Sequence, residues 1–210
     1  MTTGMALAPR RHSGENAAVN LYWLPLGAGG HSVRLNGIVY EAAAALLGHR
    51  GVRDLYHSVL EVRVPEGRFV IEQAPVPDGH GDRRGVVAEG SVGSRSAGRL
   101  RLFRYELRRW RDGVIPDIED AVESPQLLTT DARLARRVID LVPSVPTPVW
   151  GRDQLAAGEM WNSNSFISWL LERGGLETGS IRPPHGGRAP GWRAGLVIAR
   201  RTQARGFRAA

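Results

Sequence analysis

The chain has 210 residues, of which 42% are hydrophobic and 23% charged, which is enough for one sizeable domain with its own core. Its net charge is +7, but all 28 basic residues are arginine, which indicates biased composition more than a nucleic-acid partner. Because cysteine is absent, disulfides, thiolate metal sites and a cysteine nucleophile are excluded. We expect no secretory signal and no membrane span, and therefore a cytoplasmic protein. The sequence does not determine its oligomeric state.

The beginning of the chain predicts a leader, a strand and a helix. Residues 1–18 are small, polar and aperiodic, and we expect them to form a disordered leader before a single domain over residues 19–200. The apolar run LYWLPLG after Asn20 predicts a short strand. Residues 36–49 predict a helix, because apolar side chains recur there at helical spacing and the alanine run favours helix.

The next segment predicts a β-hairpin. Apolar and polar residues alternate from Leu55 to Gln73 on both sides of the turn sequence Pro65-Glu66-Gly67. Residues 75–98 are rich in glycine, serine, proline and arginine and predict a long mobile loop with one weak strand at 85–89.

The arginine-rich segment that follows has two interpretations. Phe103, Tyr105 and Leu107 alternate with charged residues, and Asp112-Gly113 supplies a turn, so we favour a strand. The spacing of the apolar residues between Leu100 and Trp110 also fits a helix.

Two further helices and a last strand are predicted in the second half of the chain. A helix over residues 130–142 would be capped by Thr130 and ended by Pro143. Residues 163–173 predict a second helix within the run MWNSNSFISWLL from Met160 to Leu171. The run GLVIA at 195–199 predicts a strand before a basic tail at 201–210. The expected fold is α+β, with an antiparallel sheet packed against helices.

The start of the helix at residues 163–173 is the first candidate site. Asn162, Ser163, Asn164 and Ser165 crowd its first turn. The first turn of a helix presents free backbone N–H groups and the positive end of the helix dipole, which suits a nucleophile or an oxyanion. Serine and asparagine are also the ordinary residues with which helices begin, and most helices carry no chemistry, so capping alone is the more common explanation of the pattern.

His57 is the second candidate. It begins the first strand of the hairpin, and Glu72 and Gln73 stand near the end of the returning strand. With a hydroxyl nucleophile, this set has the layout of a nucleophile, a base and a residue that orients the base. If the turn is centred between Glu66 and Gly67, Glu72 shares the face of His57, and a one-residue change in loop size puts Gln73 there instead. A lone strand histidine is otherwise a packed or surface residue.

These two regions together resemble a known superfamily. The order of a YHS strand, a turn, a strand ending in VIE and a later W-N-x-N-S-F-x-x-x-L is similar to the circularly permuted branch of the papain-like superfamily. That branch includes NlpC/P60-related permuted peptidases, lecithin–retinol-acyltransferase-like (LRAT-like) proteins and PPPDE-type isopeptidases. The resemblance covers residues 55–72 and 158–176. It implies a permuted papain-like fold with His57 as base, Glu72 as orienter and Ser163 in the nucleophile position.

The sequence departs from that superfamily at the nucleophile itself, which is cysteine in the family and Ser163 here. A helix N-terminus and a nearby imidazolium convert a thiol to thiolate, whereas an alcohol stays protonated in the same field. Ser163 would therefore need His57 as a base and an oxyanion hole. The chain is then a serine variant, a protein that has lost catalysis and binds something, or a protein with an engineered substitution.

The leading hypothesis is a hydrolase or acyltransferase relative that acts on a small-molecule or peptide amide or ester, with catalytic Ser163, His57 and Glu72. Candidate substrate-binding residues adjoin these positions: Asn162, Asn164, Gln73 and Trp161. The competing hypothesis is a catalytically inactive binding protein on the same scaffold.

Weaker candidates lie elsewhere. His31 follows two glycines, but a loop histidine is usually solvated. His80 and Asp82 lack further ligands at metal-binding spacing, and we expect no metal and no cofactor. The arginines from Arg95 to Arg111 are interleaved with aromatic residues, as in nucleic-acid platforms, which gives a third, weaker hypothesis of a basic nucleic-acid-associated protein. The alternative is a solvated strand face.

Overall fold

The computed structural model describes residues 17–26, 54–76 and 84–208. The predicted helix at 36–49 and nearly all of the predicted leader lie outside these ranges. Three side chains discussed above also lie outside them: His31, His80 and Asp82.

Six strands form one antiparallel sheet in the order β4-β5-β3-β2-β1-β6. Their bounds are β1 Ala18–Pro25, β2 Tyr56–Val64, β3 Gly67–Pro75, β4 Val86–Ser91, β5 Arg104–Arg111 and β6 Gln126–Thr129. The predicted hairpin and the predicted weak strand are confirmed as β2–β3 and β4. The strand interpretation of the arginine-rich segment is also correct, and the helical alternative is wrong.

The β2–β3 hairpin turns over two residues, because Val64 pairs with Gly67 and Leu60 pairs with Ile71. Gly67 takes a φ of +143°, which glycine adopts without strain. Within the described residues, the pairing of β2 with β3 stops at Leu60 and Ile71. Beyond this point β2 pairs with β1 through His57, and β3 pairs with β5. The sheet is therefore split between β2 and β3 at the end away from the turn.

Two helices agree with the sequence prediction. α1 spans Ala132–Leu141 and α2 spans Ser163–Gly174. The cap of α1 is Asp131, whose carboxylate accepts from two backbone N–H groups, and not the predicted Thr130. Asp131 is one residue closer to the first turn, and its second oxygen and charge suit the helix N-terminus.

The predicted strand at 195–199 is wrong, because these residues lie inside helix α3, Trp192–Arg208. Five apolar residues are too few to separate a strand from a helix by periodicity. The helix is fixed by close packing: a Cβ on Gly195 would lie 2.1 Å from the carbonyl oxygen of Ser165 in α2. α3 also covers most of the predicted basic tail, which therefore continues the helix.

The three helices share one hydrophobic core with one face of the sheet. α2 is the most deeply buried of them, with Phe166, Ile167, Leu170 and Leu171 all excluded from solvent. A smaller cluster lies on the opposite face of the sheet and includes Val59 and Val70. The fold is α+β, as predicted.

Candidate active site

The side chains of His57 and Ser163 meet where the split end of the sheet faces the start of α2. His57 Nδ1 lies 2.7 Å from Ser163 Oγ, although the two residues are 106 positions apart in the chain. When Nδ1 carries no proton, the Ser163 hydroxyl donates to it. This is the contact that a hydroxyl nucleophile and its base require.

Asn162 fixes the point at which α2 begins. Its side-chain oxygen accepts from the N–H of Ser165, and the Ser165 hydroxyl accepts from the N–H of Asn162, which makes a reciprocal capping box. The amide nitrogen of Asn162 donates to the Pro190 carbonyl at 2.8 Å. Ser163 is therefore held as the first residue of the helix, because its neighbour Asn162 is bonded to both Ser165 and Pro190.

Asn164 ties α2 to β2. Its oxygen accepts from Ser58 Oγ at 2.7 Å, and its nitrogen donates to the carbonyls of Tyr56 at 2.9 Å and Pro190 at 3.0 Å. Ser58 and Tyr56 are the two neighbours of His57 in the strand. The amide groups of Asn162 and Asn164, which were predicted to bind substrate, are therefore hydrogen bonded within the protein. These bonds position Ser163 and His57.

The first turn of α2 leaves two donors available. Asn162 accepts from the N–H of Ser165 through its side chain and from that of Phe166 through its carbonyl. Among the described residues, no acceptor receives the N–H groups of Ser163 and Asn164. These donors carry the positive end of the helix dipole beside the Ser163 hydroxyl. Such a pair can stabilise an oxyanion formed on a carbonyl that Ser163 attacks.

His57 is neutral at physiological pH. Burial lowers its pKa to about 4, and within residues 17–26, 54–76 and 84–208 no carboxylate opposes this shift. The imidazole is therefore unprotonated above that pH, and the same shift makes it a weaker base than a solvated histidine. Among the described residues, no side chain hydrogen bonds to its second nitrogen, Nε2.

The structure does not bring Glu72 to His57. Glu72 pairs across the sheet with Arg108, whose Nη1 donates to its carboxylate at 2.7 Å. The same guanidinium donates through Nε to Glu106 at 2.8 Å, so the three side chains form a buried charge cluster. Burial raises the pKa of Glu72, and Arg108 opposes that rise. The contacts of Glu72 are those of a structural ion pair.

Gln73 is the other residue considered as an orienter. Strand alternation places it on the same face as Ile71, which belongs to the main core. Its side chain is 1% exposed, and neither its amide nitrogen nor its oxygen has a hydrogen-bond partner among the described residues. An unpaired buried amide costs about 1–3 kcal/mol. Gln73 is thus a buried polar residue without a partner in the described part of the chain, and it lies across the split from His57.

A small cavity of about 40 Å³ opens beside the His57–Ser163 pair. Besides these two residues it is lined by Leu26, Tyr56, Trp150, Asn162, Asn164 and Pro190. Trp161, a predicted substrate-binding residue, is buried in the main core instead. Sequence analysis missed Trp150 and Pro190. Both lie in irregular segments, where no periodic pattern indicates which side chain faces a site.

A second cavity, of about 390 Å³, lies on the other side of the Trp150 segment. It separates edge strand β4 from the extended residues 146–149, and polar side chains such as Glu89, Arg95 and Gln154 face it. The two segments meet at one end of this cavity, where Trp150 bridges to Val92.

Other sequence candidates have the following positions. Of the aromatic residues between the arginines, Tyr105 is fully buried and donates its hydroxyl to the Pro148 carbonyl, whereas Phe103 is 40% exposed. The described residues contain no group of three or more side chains suited to a metal ion. In the same ranges, no helix has the length and apolar character to cross a bilayer.

Comparison with known proteins gave no match: no family model, no curated protein and no solved structure is significantly similar to this chain. The resemblance to the permuted papain-like branch therefore rests on the residues and contacts described above, and no family assignment follows from the comparisons.

Proposed function

We propose that this protein is a hydrolase or acyltransferase that acts on an amide or ester, with Ser163 as nucleophile and His57 as base. The observation that carries this proposal is the 2.7 Å contact between His57 Nδ1 and Ser163 Oγ at the start of a buried helix. In a permuted papain-like protein these two positions would be those of the base and the nucleophile.

In the proposed reaction, Ser163 Oγ attacks the substrate carbonyl carbon while His57 Nδ1 takes the hydroxyl proton. The carbonyl oxygen becomes an oxyanion and accepts hydrogen bonds from the free N–H groups of Ser163 and Asn164. His57 then gives its proton to the leaving amine or alcohol, and an acyl-serine remains. Water or an acceptor alcohol or amine attacks this ester, which gives hydrolysis or acyl transfer and restores the Ser163 hydroxyl.

The proposed site consists of two side chains and two backbone donors. Glu72 is engaged by Arg108, so it is not included as orienter. Asn164 is hydrogen bonded to the Ser58 hydroxyl and to the Tyr56 carbonyl, on either side of His57. In the proposed site these bonds fix the strand that carries the imidazole, which is part of the role of an orienting residue.

The experiment is labelling with a fluorophosphonate probe, which reacts with activated serines. We expect the unaltered chain to be labelled at Ser163 and the Ser163→Ala and His57→Gln variants not to be labelled. Ser96→Ala, an exposed serine, is the matched control and should leave labelling unchanged. Absence of labelling in the folded, unaltered chain would refute the enzymatic proposal.

A second candidate, a binding protein on the same scaffold, is favoured by the size of the cleft. Ser163 is 6% exposed, and the adjoining cavity of about 40 Å³ is far below the roughly 300 Å³ of ordinary ligand sites. The cavity of about 390 Å³ beyond Trp150 is large enough for a ligand. This candidate predicts that small molecules bind with equal affinity to the unaltered chain and to Ser163→Ala.

A further inference from the structure

The connection between β4 and β5 carries a run of six exposed residues, RLRLFR at 99–104, which we name the arginine–leucine loop. Leu100 is 62% exposed, Leu102 is 65% exposed and Phe103 is 40% exposed. Three of the seven large hydrophobic side chains that are exposed in the described residues therefore stand next to one another in this loop. A cluster of this kind indicates a contact surface.

The loop has a fixed backbone. Two short 3₁₀ turns, Ala97–Arg99 and Arg101–Phe103, shape it. The N–H of Leu100 donates to the Ala97 carbonyl at 2.9 Å, and that of Phe103 donates to the Leu100 carbonyl at 3.0 Å. The Phe103 carbonyl accepts from Val92 at 2.8 Å. The apolar side chains are therefore presented outward by an ordered turn.

The charge of the loop has one sign. Between Gly90 and Tyr105 the chain contains four arginines and no acidic residue. Arg104 pairs with Glu89 of β4 at 2.7 Å, and Arg99 is an exposed residue. A partner that fits this surface combines anionic groups with an apolar layer close behind them.

We propose that the arginine–leucine loop docks the protein on an anionic lipid bilayer, with Leu100, Leu102 and Phe103 entering the interface and Arg99 contacting lipid phosphates. An anionic bilayer presents phosphate groups at its surface and apolar acyl chains directly beneath them. A nucleic acid fits less well, because base stacking uses exposed aromatic rings and only Phe103 supplies one here.

The loop projects from the split end of the sheet. β2 begins and β4 ends at this end, and Trp150 joins the two regions, since it bridges to Val92 and lines the cavity of His57. Docking through the loop would place the His57–Ser163 side of the molecule near the membrane. The docking proposal does not depend on catalysis by that pair.

The test is co-sedimentation of the full chain with phosphatidylcholine vesicles that contain or lack phosphatidylserine. We expect binding to the phosphatidylserine vesicles only. The double variant Leu100→Ser/Leu102→Ser should weaken it at least about tenfold, and Arg99→Gln about fivefold, since one arginine near an anionic surface contributes about a factor of five. Raising the salt concentration should weaken the binding further.

Matched controls are Leu127→Ser, an exposed leucine in β6, and Arg133→Gln, an exposed arginine in α1, which should bind as the unaltered chain does. Circular dichroism confirms that each variant is folded. Failure of the unaltered chain to bind, equal binding to both vesicle types, or binding that the loop variants do not change would each overturn the proposal. So would salt-sensitive binding to DNA or RNA without binding to vesicles.

Discussion

Ser58 Oγ donates a hydrogen bond to Asn164 Oδ1 at 2.7 Å, so the residue after His57 is joined directly to the residue after Ser163. The two candidate reactive groups are thus positioned by bonds between their neighbours in the chain. Both members of this pair are buried, and a buried hydrogen bond that loses one partner leaves the other unsatisfied.

Asn164→Ala should lower the free energy of unfolding by about 2–4 kcal/mol. It removes the bonds to Ser58, Tyr56 and Pro190 and leaves the Ser58 hydroxyl without its acceptor. Urea unfolding measures the loss. Thr202→Ala, which removes a hydroxyl bond on the outer side of α3, is the control and should cost less than about 1 kcal/mol. Equal losses in the two variants would contradict this account of Asn164.

His57 should make stability depend on pH between about 4 and 6.5. The pKa of the folded imidazole is about 4, against 6.5 when the chain is unfolded, so the unfolded chain binds more protons in this window. Stability therefore rises with pH across the window, by up to about 3 kcal/mol, and is lost as pH falls. The measurement is urea unfolding at pH 4.5 and 7.0. His57→Gln should remove this part of the pH dependence. If the free energy of unfolding of the variant changes with pH as much as that of the unaltered chain, other groups cause the dependence.

Ser163→Cys should create a reactive thiol in a chain that has no other cysteine. The helix N-terminus favours thiolate, so iodoacetamide should react below the usual thiol pKa of about 8.5. The rate is measured against pH by mass spectrometry. Ser96→Cys, in an exposed loop, is the control for access and should show the ordinary pH profile. A profile in Ser163→Cys equal to that of the control would contradict this effect of the helix N-terminus.

Gln73→Met should raise the free energy of unfolding by about 1–2 kcal/mol. The substitution keeps the shape of the side chain and removes two buried polar atoms that have no partner among the described residues. Thermal and urea unfolding measure the gain. Gln154→Met is the control and should be neutral or destabilising, because the Gln154 oxygen accepts from the N–H of Val149. A loss of stability in Gln73→Met would show that the amide has a partner in solution.

Local pattern was sufficient for much of this fold. The alternation on both sides of Pro65-Glu66 predicted the hairpin, and the polar run before Phe166 predicted the start of α2. The strand at 195–199 was predicted wrongly, because the feature that decides for helix is the contact of Gly195 with α2, which no local pattern contains.

The candidate site was less predictable, because its contacts join distant segments. Only the resemblance suggested that His57 and Ser163 lie together, since 106 residues separate them. The partner of Glu72 was not predictable, because the local sequence does not determine the order of strands in the sheet. In the structure β5 lies beside β3, and this brings Arg108 opposite Glu72. Pro190 and Trp150 come from connections whose paths depend on the whole packing.

Beyond the break in pairing between β2 and β3, the two strands are hydrogen bonded to different neighbouring strands. His57 lies in a part of β2 that pairs with β1, while Gln73 lies in a part of β3 that pairs with β5. Among the described residues, the direct pairs between β2 and β3 are the five between Leu60–Ile71 and Val64–Gly67. The turn at Pro65-Glu66 lies at the opposite end of the hairpin, so a residue inserted there should leave the imidazole against Ser163. Helix α2 packs against both strands and therefore holds the two parts of the sheet together beside the reactive pair.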